Sequence, residues 1–265
     1  MLNEKLKNLK ETAKKKAKKK DMPKKEVVNR VKDKIIAKLS LPSEYLDFRL
    51  KDLNFGKNDK KIKNKILDFY REIDFQKNKN VDCFLYSEGI ATPEDEKFKL
   101  GTGTGKTVLA YVVLEELIKK YIRFLYEKHG SYLLYDTSLF KKDFCQISSC
   151  EFFNKLIADR REFDYTSIKK AKQEVKTAKI LVWDDILSEE RNDWVLNQIQ
   201  EIIDYRTKNG KNTIYTSNFK SEHFLKIKSD DEDSQKQAQR IYSRLKGGCK
   251  DYIINIEGID RRIFD

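Results

Sequence analysis

Apolar and polar positions along the chain follow two regimes that change near residue 41. From Leu2 to Leu39 the apolar residues are sparse and helically spaced, first Leu2, Leu6 and Leu9, then Val27, Val28, Val31, Ile35 and Ile36. Pro23 lies between the two groups and predicts two helices, because proline begins a helix more readily than it continues one. The first group is too polar to build a core alone and predicts an arm that is flexible or ordered by a partner. Leu41-Pro42-Ser43-Glu44 predicts a break and a capped start, and Lys60–Phe75 carries Ile62, Ile66, Leu67, Phe69, Tyr70 and Ile73 at helical spacing.

Beyond residue 41 short apolar runs alternate with amphipathic stretches. Val81–Tyr86, Cys145–Ser148, Ile180–Trp183, Thr213–Thr216 and Tyr252–Ile256 predict strands; Thr107–Glu127, Glu151–Asp159 and Trp194–Arg206 predict helices between them. This alternation predicts an α/β domain on a largely parallel sheet. Residues 1–40 are expected to form a basic helical arm and residues 41–265 the main domain.

Charge sharpens that division. Residues 1–40 hold fifteen Lys or Arg against five Asp or Glu, so most of the formal net charge of +13 sits there. Such an arm could meet nucleic acid or an acidic protein; the run "KKKAKKK" at Lys14–Lys20 reads equally as a solvated helical face. The abundance of Lys, Asn and Ile throughout is also that of proteins encoded by AT-rich DNA. No run of about eighteen apolar residues occurs and no secretory leader is visible, so no membrane association and a cytoplasmic location are expected. Cys83, Cys145, Cys150 and Cys249 form no C-x-x-C pair, and with His129 and His223 they give no zinc spacing; ordinary reduced thiols are expected.

Four stretches carry chemistry. "KFKLGTGTGKTV" at Lys97–Val108 contains Gly101, Gly103, Thr104, Gly105, Lys106, Thr107 and Val108. Glycines let the backbone approach phosphate oxygens, the lysine reaches the β and γ phosphates, and the threonine hydroxyl suits Mg²⁺, all at the start of a helix whose dipole favours anions. "ILVWDD" at Ile180–Asp185 is an apolar run ending in two acids: Asp184 suits Mg²⁺ and Asp185 suits orienting or deprotonating water. "TIYTSN" at Thr213–Asn218 is a strand ending in Asn218, which could bond the γ-phosphate or the attacking water, or simply form a turn. "RIYSRL" at Arg240–Leu245 places Arg240 and Arg244 on one helical face, as an arginine finger from a neighbouring subunit requires, or as two solvated cations.

Taken in order, the loop, "ILVWDDILSEERNDWVLNQIQEIIDYRTKNGKNTIYTSNF", "RIYSRLKGGC" and "GIDRR" resemble the AAA+ ATPases of the DnaC and DnaI type that load the bacterial replicative helicase, and "LPSEYLDFRLKDLNF" resembles the linker before their ATPase core. The resemblance covers residues 41–265. It implies an AAA+ P-loop NTPase domain that binds ATP and Mg²⁺ between subunits of a homo-oligomer, contacts single-stranded DNA, and docks on the replicative ring helicase through residues 1–40. Lys106 and Thr107 are matched to the Walker A pair, Asp184 and Asp185 to the Walker B acids, and Asn218 to sensor 1. Arg244 is the better-aligned finger with Arg240 second, and Arg261 or Arg262 matches sensor 2. With the resemblance running to Asp265, the helix-turn-helix domain of DnaA-type initiators is not expected.

The sequence departs from that pattern in two places. Residues 1–82 contain neither Cys nor His, excluding the zinc-binding N-terminal domain of some DnaI-type loaders. Leu100 stands where the first Walker glycine belongs. Gly89, which ends the run Val81–Gly89, is displaced from that position by the eleven residues "IATPEDEKFKL", expected as a surface excursion; the alternative uses Phe98–Leu100 as the strand and Gly101 as the first glycine. A transposition helper ATPase of the IstB type and a non-hydrolysing helicase-binding adaptor are the competing functions. Lys141–Phe153, basic and aromatic, is a candidate DNA contact or a piece of core.

Overall fold

The computed structural model describes residues 23–39, 41, 45, 48–77, 79–87, 104–134, 140, 142–186, 193–226 and 232–256. The chain divides into two compact units, one formed by Met1–Leu41 with Glu115–Lys141, the other by Pro42–Leu114 with Lys142–Asp265. Among the described residues no helix is long and apolar enough to cross a membrane, and all four cysteines are free thiols.

In the first unit α1 spans Lys24–Leu39 and buries Val27, Val28, Val31, Ile35 and Ile36, one stripe at helical spacing. The Pro23 carbonyl accepts the amides of Glu26 at 2.8 Å and Val27 at 3.2 Å, so the helix starts at the expected proline. Lys24 pairs with Glu127, Lys32 Nζ lies 3.3 Å from Glu115, and Lys34 Nζ donates to the Leu134 carbonyl at 3.1 Å. The apolar stripe of α1 is thus flanked by cations that meet the 115–134 segment.

The second unit is built on a parallel sheet. In chain order its elements are α2 (Asp59–Glu72), β1 (Cys83–Tyr86), the start of α3 (Lys106–His129), β2 (Phe144–Ser148), α4 (Ser149–Arg161), α5 (Tyr165–Thr177), β3 (Ile180–Asp184), α6 (Asp193–Lys208), β4 (Asn212–Ser217), α7 (Glu232–Cys249) and β5 (Ile253–Asn255). The sheet order is β2-β3-β4-β1-β5 and every pairing is parallel. A parallel sheet is covered on both faces, so its strands are continuously apolar. Ile180, Leu181, Val182 and Trp183 of β3 are all fully buried.

Phe153 and Leu156 of α4, Val175 of α5, Val195, Leu196, Ile199, Ile202 and Ile203 of α6, and Ile241 and Leu245 of α7 pack in one cluster with Phe84, Trp183 and Tyr215. The Trp183 indole finds its polar partner in Ser149 Oγ at 3.1 Å. Phe144, Phe152 and Phe153 are buried; the rings of the candidate segment Lys141–Phe153 therefore serve the core and are not available to stack on bases.

At the amino edge of the sheet two buried charges hold elements together. Arg206, at the end of α6, donates to Thr213 Oγ1 (2.9 Å), to the Val175 and Ala178 carbonyls at the end of α5 (2.7 and 2.9 Å), and to the Asn212 carbonyl (2.6 Å). Asp82 Oδ1 accepts the Thr213 amide at 2.7 Å and Asn80 Nδ2 at 3.0 Å, and the Asp82 amide donates to the Gly248 carbonyl at 3.0 Å. Burial pushes the Asp82 carboxyl up to about 6, against the pull of the Arg206 charge.

Candidate nucleotide site

The site lies where β1, β3 and β4 end, the edge at which parallel α/β sheets hold ligands. Gly105 has φ +91°, a left-handed conformation that glycine adopts without strain, and its carbonyl accepts the Leu109 amide at 2.9 Å to open α3. Thr104 is buried and Lys106 is only 7% exposed, with Nζ 3.4 Å from Thr104 Oγ1. Val108 is half-buried on the first turn. Gly89, Gly101 and Gly103, the contenders for the front of the loop, lie outside the described residues, as do Phe98–Leu100, Arg261 and Arg262.

Thr107 Oγ1 donates to Asp184 Oδ1 at 2.9 Å across 77 residues of sequence. This bond joins the loop to the carboxylate at the end of β3. Asp185 follows at φ +55°, its Oδ1 accepting Asn218 Nδ2 at 3.0 Å. Four of the residues picked from sequence, Thr107, Asp184, Asp185 and Asn218, thus form one bonded group.

Thr216 is the member that sequence reasoning missed. Its Oγ1 donates to Asp184 Oδ1 at 2.5 Å and accepts the Asp185 amide at 2.8 Å. The Thr216 carbonyl accepts the Ile186 amide at 2.9 Å, and Ser217 Oγ donates to the Ile186 carbonyl at 2.9 Å, so the turn after β3 is stitched to β4. The available signal was a hydroxyl in a strand whose every position is buried.

One turn along α3 from Thr107 the ring of Tyr111 stacks on Tyr45, centroids 5.6 Å apart, and the Tyr111 hydroxyl donates to Gln146 Oε1 at 3.3 Å. Burial, then the Asp184 charge, push the Tyr111 phenol up and keep its proton in place. Arg240 and Arg244 are exposed on α7. Neither bonds to the Thr107–Asp184–Asp185–Asn218 group; Arg244 Nε instead donates to Asp204 Oδ1 on α6.

The donor set suits Mg²⁺ better than a transition metal. Thr107 and Asp184 offer hard oxygens, and no group of three or more His, Cys, Asp or Glu able to hold a metal occurs among the described residues. Mg²⁺ is commonly held by one or two protein oxygens, with water and phosphate completing its shell. The buried ammonium of Lys106 beside the opening of α3 fits an anionic phosphate chain.

A parallel sheet in the order β2-β3-β4-β1-β5, with a Lys-Thr pair opening α3 and an Asp-Asp pair closing β3, is the fold of an AAA+ P-loop domain. No family model matches the sequence, and no curated protein does. Among solved structures the chain is similar to a crystal structure of DnaI, with a TM-score of 0.56 and 19% identity over 84% of this chain and 95% of that one. It is also similar to AMPPCP-bound DnaA from Aquifex aeolicus (TM-score 0.52, 16% identity, 85% of this chain and 54% of that one). The replication initiator DnaA bound to AMPPCP and single-stranded DNA gives a TM-score of 0.52 at 16% identity, over 83% and 52% of the two chains. The chain spans about half the length of these DnaA chains. At such identities the likeness is one of fold.

Proposed function

We propose that this chain binds ATP with Mg²⁺ and uses it as a switch to load the replicative ring helicase onto single-stranded DNA. The observation that carries the nucleotide part is the Thr107–Asp184 hydrogen bond, which puts the hydroxyl and carboxylate expected to share a cation 2.9 Å apart. Gly101, Gly103, Thr104 and Gly105 would line the phosphates, Lys106 would neutralise them, and Val108 would extend the first turn of the helix behind them. Mg²⁺ would supply charge neutralisation between the phosphates and the Thr107 and Asp184 oxygens. Asp185, which accepts Asn218 Nδ2, would orient or deprotonate an attacking water.

Catalysis of this kind rests on positioning and on charge stabilisation in the transition state. Arg244, with Arg240 second, would add the stabilising charge from a neighbouring subunit, making the site that of a homo-oligomer. The helicase would be engaged by residues 1–40. The loader reading is supported by the order of the four motifs and by the DnaI structure being matched over nearly its whole length.

Titration of the full chain with a fluorescent ATP analogue tests the site: saturable, Mg²⁺-dependent binding abolished by Lys106→Ala is expected, and binding indifferent to that change would sink the reading. A pull-down with the ring helicase, with and without residues 1–40, tests the partner. Capture that persists without the arm would place docking elsewhere, and capture indifferent to ATP and to Lys106→Ala would favour the adaptor.

A further inference from the structure

We propose that Thr216 is a positioning residue that locks the two carboxylates of the site together, so that fixing Asp184 also fixes Asp185 and Asn218. The inference rests on the nucleotide reading for its purpose, but not for its geometry. Thr216 is 1% exposed and belongs to β4, the strand that pairs with β3.

Its hydroxyl has one proton. Donation of that proton to Asp184 Oδ1 at 2.5 Å leaves the lone pairs to accept the Asp185 amide at 2.8 Å. A hydroxyl that donates to a carboxylate becomes a better acceptor, and the buried setting strengthens both bonds. The Asp184 carboxylate, the Thr216 hydroxyl and the Asp185 amide therefore form one polarised chain, and the side chain of the residue at its end, Asp185, accepts Asn218 Nδ2 at 3.0 Å.

Thr107 and Thr216 both donate to the same oxygen of Asp184 but stand in different places. Thr107 is half-buried on the first turn of α3, where a cation would recruit its oxygen, whereas Thr216 is enclosed. A cation would take a lone pair of the Thr107 oxygen and leave its proton for Asp184, so Thr216 would act there as a second, enclosed donor to the same oxygen. Asp185 sits at φ +55°, off the preferred backbone regions for a residue with a side chain, and the Thr216 hydroxyl is the acceptor for its amide. Removing that hydroxyl frees Asp185 to relax away from Asn218.

The test compares Thr216→Val and Thr216→Ala, which delete the hydroxyl, with Thr216→Ser, which restores it, in the full-length chain. Without ligand, exchange of the Asp185 amide with solvent should rise at least about tenfold in the Val and Ala variants and stay near wild type in Ser. With ATP and Mg²⁺, turnover should fall about ten- to a hundredfold in Val and Ala, as for lost outer-shell partners of a metal ligand. KM for ATP should shift by less than about threefold, and Ser should recover turnover. Wild-type exchange in both deletion variants would overturn the proposal, as would equal losses in Ser and Val. If wild-type protein itself fails to bind Mg²⁺-ATP, the nucleotide reading falls, while the ligand-free exchange comparison still decides whether Thr216 is the lock.

Discussion

Arg244 Nε donates to Asp204 Oδ1 at 2.9 Å, tying α7 to α6 on a half-exposed surface. The candidate finger is therefore held within its own chain, and any role at a neighbour's phosphates requires that pair to open. Exposed pairs of this kind contribute about 0–1 kcal/mol, a small barrier to opening.

Replacing Arg244 with Ala should accordingly leave ATP-analogue affinity and melting temperature nearly unchanged while lowering ATP turnover by about a thousandfold, the scale of a lost finger. Mixing Arg244→Ala with Lys106→Ala protein should restore part of the activity, since some interfaces then pair an intact loop with an intact arginine. A mixture as inactive as its components would exclude Arg244 as a residue acting between subunits.

Arg206 fills four acceptors with one guanidinium. Lysine has three protons on one nitrogen and cannot follow the fork, so Arg206→Lys leaves at least one buried carbonyl or hydroxyl without its donor. A loss of about 1–3 kcal/mol is expected, and Arg206→Met should lose more because every one of those donors disappears. Urea unfolding followed by tryptophan fluorescence reads both values, with Trp183 in the same core.

A Cβ added at Gly248 would lie 2.5 Å from Asp82 Oδ2 and 3.0 Å from Asn80 Oδ1. Gly248→Ala should cost about 1–3 kcal/mol by overpacking. In the double variant Gly248→Ala, Asp82→Ala the second change vacates the space the first one needs. The two losses should therefore be clearly less than additive, and strict additivity in a double-mutant cycle would show that the contact is not what limits the site.

The Asp82 carboxyl titrates near 6 in the folded chain against an ordinary value of 3.8, with burial the main cause. Between these values the folded state keeps a proton that the unfolded state releases, so this group's stabilisation is complete below about pH 4, declines as the pH rises, and is lost above about pH 6. The stability of wild type relative to Asp82→Asn should fall across that window by on the order of 2–3 kcal/mol. A difference that stays level from pH 4 to 6.5 in urea melts would count against the raised value.

The expected strands all occur, because a strand buried on both faces is a bare apolar run and such runs are easy to see. The helix Tyr165–Thr177 was overlooked for the opposite reason. Only Val175 is fully buried in it, with Ile168 and Ala171 partly packed, so its apolar stripe is thin. Its visible mark was the cap, Asp164 Oδ1 accepting the Ser167 amide at 3.0 Å. In the site, charged and glycine-rich residues announced themselves by chemistry that few other environments tolerate. Thr216 did not, since threonine is at home in any strand, and its role depends on register between β3 and β4 that a linear pattern does not carry.

Gly248 sets more than stability. Its carbonyl holds the amide of Asp82 and its bare Cα lies against the carboxylate, so the end of α7 is seated directly on the segment leading into β1. Arg244 and Arg240 lie four and eight residues before that seat, about 6 and about 12 Å along the helix axis. The register of α7, and with it the place of both guanidiniums, is thus set in part by the fit of a residue with no side chain at all.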